Sequence, residues 1–296
     1  MVSSSRDARG FSLVEALIAT VLGTLVIALV VSVVVAQGGY FGDVHTRANL
    51  QETVRSSADL LREELQTVLR GGILTAESDR LVALVPVAMG VVCGEVEGPP
   101  GKGKGVGKGK GPVSAAPAYL PLPGGGADTD RVTWYAIRDE IGDWLFHDSN
   151  PVVAGGNPAG ICEDVGADTD GAKGDFRNLS GMESPALPEV GNLVALLSEV
   201  GFRFDGSVLG PGTIALYRQE AGGPEVEFAS GLNSNARFQY RRQGETTFQD
   251  EVTGAADRAT IVEIRVVASA ESLDERGGAG PLSYEWDLRI PLRNAP

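Results

Sequence analysis

Polar and apolar positions divide the chain into three regimes. Residues 1–10 are short and polar, whereas from Phe11 to Ala36 every position is apolar or small apart from Glu15. At 1.5 Å per residue that second stretch predicts a helix roughly 39 Å long, enough to cross a hydrocarbon core of about 30 Å. Gly38 and Gly39 follow and predict a bend or local unwinding. The helical pattern then resumes: Leu50, Val54, Ala58, Leu61, Leu65 and Val68 recur at three- and four-residue steps. Between them stand Glu52, Arg55, Asp59, Arg62, Glu63 and Glu64. Gly71-Gly72 is the expected C-terminal stop. A coiled coil is the second reading of this stretch, but it falls short of three or four heptads.

Beyond residue 81 the period changes from 3.6 to 2. Leu81 to Val92 is apolar and β-branched, broken only by Pro86 and Gly90. Arg131 to Ile137 and Asp143 to His147 flank an Arg-Asp-Glu-Ile-Gly turn and predict a hairpin. Val194, Leu196, Val200, Phe202 and Phe204 share one parity. So do Val262, Ile264 and Val266, and then Tyr284, Trp286, Leu288, Ile290 and Leu292. Alternation with polar partners marks half-buried antiparallel strands. The fold class is therefore α+β, one long helix packed on antiparallel sheet.

Composition narrows the chemistry. The chain has 296 residues, 43% of them hydrophobic, so it can bury a core. Its net charge of −14 disfavours nucleic acid as a partner, because phosphate contacts need a basic face. Two cysteines, Cys93 and Cys162, lack the spacing of a thiolate metal cluster. Two histidines, His45 and His147, are too few and too far apart for a histidine site. Neither sits in a catalytic motif, so no catalytic or metal-ligating residue is assigned and an enzyme is the least supported class.

The N-terminus carries the most specific signal. Arg6 and Arg9 give the leader a positive charge, which holds it in the cytoplasm and directs the bulk of the chain outward. The apolar run is too long for the core of a cleaved secretory signal. A carboxylate four residues into a span costs several kcal/mol unless neutralised, so Glu15 is a functional candidate. Arg-Gly-Phe-Ser-Leu-Val-Glu-Ala-Leu-Ile-Ala, residues 9–19, closely resembles the class III signal of type IV prepilins and pseudopilins.

The resemblance implies a prepilin peptidase that cuts between Gly10 and Phe11 and methylates the new amine of Phe11. It further implies that Glu15 of an incoming subunit meets the N-terminal amine of its predecessor, which sets the axial register. In a water-poor helix bundle such a contact is strong when both charges are desolvated together. The implied organisation is a leader at 1–10, a membrane or filament-core helix at 11–36, an amphipathic continuation at 37–72 and a β-rich periplasmic domain at 73–296. The implied surroundings are an inner membrane crossed once, its lipid before assembly, an assembly platform, and other minor and major pilins in the filament.

Four segments, Thr213 to Arg218, Val226 to Gly231, Ala236 to Arg241 and Ile261 to Val267, resemble the C-terminal half of PilW-like minor pilins, with a similar arrangement in the secretion pseudopilin J. This resemblance implies a minor subunit of a type IV pilus. A minor pseudopilin of a type II secretion system is the alternative, and an adhesin or DNA-uptake subunit stands further off.

Three remaining features bear on binding. Residues 98–117 are low in complexity, with Lys102, Lys104, Lys108 and Lys110 spaced by glycine. Such a segment reads as a solvated, mobile insert, with a basic tether as the second reading. Gly-Ala-Asp-Thr-Asp-Gly at 166–171 fails the EF-hand frame, which leaves only an irregular calcium loop around Asp168 and Asp170. No other cofactor is implied. Cys93 and Cys162 are expected to pair, since thiols outside the cytoplasm oxidise and an even count leaves none over.

Overall fold

A computed structural model of the chain describes residues 12–93, 116–119, 131–149, 152–155, 176–180, 191–271 and 283–292. Two compact units share them. The first holds the helix α1 (Leu13–Gln66) as far as Glu52, and the second begins at Thr53 and holds the end of α1 and all the strands.

The helix runs without interruption through Gly38-Gly39, where the sequence predicts a bend. Each glycine costs about 1 kcal/mol in a helix interior, less than restarting a helix with a new nucleus on either side. Its end comes at Gln66 rather than at the glycines. The Thr67 hydroxyl donates to the Glu64 carbonyl at 2.7 Å, and Thr67 and Val68 N–H bond three residues back instead of four. The shift of the backbone bonds from i−4 to i−3 tightens this last turn, as at many helix C-termini. Gly71 then adopts φ +86° and turns the chain toward the sheet.

In the second unit the apolar stripe is buried as its spacing predicts. Val54, Leu61, Leu65 and Val68 are buried and Ala58 half-buried, Ser57 and Leu69 are buried beside them, and Arg55, Asp59, Arg62 and Glu63 are exposed.

Among the described residues thirteen strands form one sheet: β1 (Ile73–Ala76), β2 (Arg80–Val92), β3 (Ala116–Tyr119), β4 (Trp134–Arg138), β5 (Trp144–His147), β6 (Val152–Gly155), β7 (Phe176–Ser180), β8 (Leu193–Gly206), β9 (Ile214–Glu220), β10 (Val226–Leu232), β11 (Arg237–Arg242), β12 (Ile261–Glu271) and β13 (Ser283–Pro291). A single-turn helix, α2 (Ala255–Arg258), precedes β12. All the pairings are antiparallel, so the α+β class holds. The central strand is β8, with β2 along one edge and β4 then β9 along the other.

Three local patterns depart from simple alternation, each for a reason visible in the register. Pro86 does not break β2; the strand bulges between Pro86 and Ala88, which accommodates a residue without an N–H donor. Residues 194–198 of β8 are buried on both faces. Val194 and Leu196 pack with Val92, Tyr135 and Leu179, while Ala195 and Leu197 pack with Leu69, Leu84 and Ala136. Where β11 pairs with β12 the register shifts between Arg241, opposite Glu263, and Arg242, opposite Ile261; Val262 is the extra residue of β12, so Ile261 is buried and Val262 only half-buried. Trp286, Leu288, Ile290 and Leu292 of the last segment alternate inward as expected.

Most of the expected insert, 98–115, lies outside the described residues, but its end, Ala116-Pro117, belongs to β3. The short strands β1, β3, β6 and β7 have no clear period and were not legible as strands.

Candidate processing and assembly site

The first turn of α1 is set by Ser12, whose carbonyl accepts the Ala16 N–H at 3.1 Å. Glu15 lies in that turn and is exposed. A carboxylate there is favoured by the positive end of the helix dipole, worth about 0.3–1 kcal/mol. Gly10 and Phe11 lie outside the described residues.

From Leu13 to Val35 the helix has a mean hydropathy of 2.8 and none of it is buried in the chain. Leu17, Val21, Leu25, Leu29 and Val33 are all more than half exposed. Length and composition make this helix able to cross a bilayer, and its bare apolar surface must be covered by lipid or by other helices. Its hydroxyls bring no unmet demand. Thr20 donates to the Ala16 and Leu17 carbonyls, Thr24 to Val21 and Ser32 to Leu29, at 2.8–3.1 Å. Glu15 differs. It is the only ionisable side chain of the span, and among the described residues its carboxylate has no hydrogen-bond or ion-pair partner. Such a group calls for a cation supplied from elsewhere.

The second unit holds a feature that sequence reasoning missed. Arg218 of β9 grips Glu64 of α1, with Nη2 to Oε1 at 2.7 Å and Nε at 3.0 and 3.1 Å from the two oxygens. Arg218 also pairs with Glu220 at 3.1 Å, and Glu220 with Arg131 at 3.1 Å. This chain of alternating charges ties helix to sheet. Burial alone would lower the Arg218 pKa, yet the Glu64 and Glu220 carboxylates raise it overall. The one hint in the sequence was an acid set at the margin of the apolar stripe, between Leu61 and Leu65.

Of the remaining candidates, Cys93 is buried just past β2, while Cys162 lies outside the described residues. Asp168, Asp170 and the four lysines also lie outside them. No group of three or more metal-ligating side chains occurs among the described residues. His147 is half-buried and stacks on the buried Tyr135 with ring centroids 4.7 Å apart.

Residues 5–31 match the family described as the prokaryotic N-terminal methylation motif. The match contains Gly10, Phe11 and Glu15 together with most of the apolar span. This signal, with the apolar helix behind it, fits a type IV pilin-like prepilin, and it implies processing by a prepilin peptidase and assembly with other pilins. Comparison of the chain with curated proteins and with solved structures gives no match.

Proposed function

We propose that this chain is a minor subunit of a type IV pilus, a structural protein without cofactor or catalytic activity, which primes assembly near the filament tip. Glu15 carries this reading, as the single ionisable group of an exposed apolar helix with no partner among the described residues. A neighbour's α-amine, freed at Phe11, supplies the missing cation. Before assembly the apolar helix is held by the inner membrane, with the β-rich unit on the periplasmic side.

The minor position is supported by size and by the C-terminal strands. Removal of ten residues leaves 296 − 10 = 286, a large domain to repeat at every step of a shaft. The order β9, β10, β11, β12 follows the segments that resemble PilW-like minor pilins. The same strands support a minor pseudopilin of a type II secretion system as the second reading.

The subunit then sits beneath a tip subunit that has no predecessor and needs no acid. Quantitative proteomics of sheared filaments, beside a deletion strain, provides the test. The expected result is a trace abundance of this chain and few filaments without it. An abundance equal to the main subunit, or normal filament numbers in the deletion strain, overturns the assignment.

A further inference from the structure

We propose that the β8–β9 loop, residues 207–213, is a preformed docking finger that inserts Val208 and Leu209 into an apolar, basic-rimmed socket on the globular domain of a neighbouring filament subunit. The proposal rests on the filament reading above.

Two observations together mark the loop. Val208 and Leu209 are 79% and 76% exposed, among the barest large aliphatics outside α1. A loop with such a tip would ordinarily be soft, yet this one is tightly braced. The Glu227 carboxylate of β10 accepts the Ser207 hydroxyl at 2.6 Å, the Val208 N–H at 2.9 Å and the Leu209 N–H at 3.4 Å. Ser207 Oγ in turn accepts the Gly210 N–H at 2.8 Å, and Thr213 donates its hydroxyl to the Gly210 carbonyl at 2.6 Å. The Tyr217 hydroxyl lies 2.7 Å from the Gly206 carbonyl and 3.2 Å from Glu227, and shares its proton between them. Arg203 stands over the Tyr217 ring at 5.5 Å and pairs with Asp205 and Glu225.

Burial opposes ionisation of Glu227, but the Ser207 hydroxyl and the two N–H groups outweigh it and hold the carboxyl below its usual range. The loop is thus fixed at neutral pH, and binding through it incurs little ordering entropy. Two aliphatic side chains held in place this way offer a partner apolar area that needs no ordering on contact.

The chemistry around the finger selects its occupant. Its Val208 and Leu209 N–H groups are already bonded to Glu227, so the tip is not seeking an added strand. No lysine or arginine lies within residues 204–217; at the base of the loop three carboxylates, Asp205, Glu225 and Glu227, stand against two guanidiniums, Arg203, which pairs with Asp205 and Glu225, and Arg80 opposite it on β2. An acidic collar on a chain of net charge −14 is repelled by an anionic bilayer surface, which attracts basic segments instead. Apolar tip and acidic collar fit an apolar socket with a basic rim on another protein.

The test places the photo-crosslinker p-benzoylphenylalanine at Leu209 of the full chain in its own cells, beside the double variant Val208→Asp/Leu209→Asp. A crosslink to a second protein bearing a class III signal is expected. The double variant should keep its melting temperature and its cleavage after Gly10, yet fall about tenfold in sheared filaments, the scale of a lost apolar anchor. Crosslinks to lipid only, to a protein outside the filament, or to nothing overturn the finger, as does normal incorporation of the double variant. Loss of cleavage in the wild-type chain would instead overturn the filament reading itself.

Discussion

Arg218 and Glu64 lie 154 residues apart in the chain and meet at 2.7 Å, with Arg218 Nε within 3.1 Å of both carboxylate oxygens. Each side chain is less than a third exposed, so the pair is screened less than a surface bridge. Removing one partner leaves a half-buried charge unmet, at a cost of about 1–3 kcal/mol. Glu64→Gln and Arg218→Met should each lower the melting temperature, and the double variant should lose less than their sum. Additive losses in that cycle would show that the two residues act independently.

Processing gives a sharper readout. The precursor should be cut between Gly10 and Phe11 and carry an N-methyl group on Phe11. Glu15→Ala should be cut normally, because the cleaved bond lies elsewhere, but should enter filaments poorly. Mass spectrometry of the membrane-extracted protein decides the first point, and an intact leader or cleavage beyond Ala36 would sink the pilin reading. Normal incorporation of the Glu15→Ala chain would remove the carboxylate from the assembly step.

A bond between Cys93 and Cys162 is expected to close a loop worth about 4 kcal/mol in the chain-entropy model. Cys93 is 4% exposed, so its replacement by serine would also bury a hydroxyl. Cys162→Ala is therefore the cleaner variant and should lower the melting temperature. Two reactive thiols in the denatured, unreduced wild-type protein would refute the pairing.

Acid should loosen the sheet. Arg265 holds Asp287 through two bonds of 2.8 and 2.9 Å, and this bonding sets the Asp287 pKa below its ordinary value of 3.8. A group whose pKa is depressed by folding contributes stability above its unfolded value and loses it as pH falls through the folded one. Glu225 and Glu245, each held by an arginine, have the same sign. Melting temperature should therefore fall steeply below about pH 4. Asp287→Asn should flatten part of that slope, and an unchanged slope in the variant would rule out this pair as a source.

Gly71→Ala tests the join between helix and sheet. The residue has φ +86°, and a Cβ there would come within 3.1 Å of Phe146 Cε2. The left-handed backbone alone costs about 1–2 kcal/mol with a side chain. A fall of roughly 2–8 °C in melting temperature is expected for a unit of this size. No change would mean that the turn can be made another way.

The sequence by itself determined whatever depends on neighbours in the chain. The apolar run with its one acid, the Gly10-Phe11 junction, the stripe from Val54 to Val68 and the alternation from Trp286 to Leu292 are all local periods or spacings. A helix face or a strand face can be read from these without knowing the partner. Only the tertiary structure decided what those faces meet. Glu64 looked like any solvated acid until β9 brought Arg218 to it. Val194 to Leu197 lost their alternation because a separate cluster covers each face of β8. Gly38-Gly39 looked like a break, yet the helix runs through them and ends at Gln66, where the backbone N–H groups of Thr67 and Val68 bond three residues back instead of four. The braced loop at Val208-Leu209 depends on Glu227, some twenty residues away, and no local period reports a carboxylate arriving from another strand.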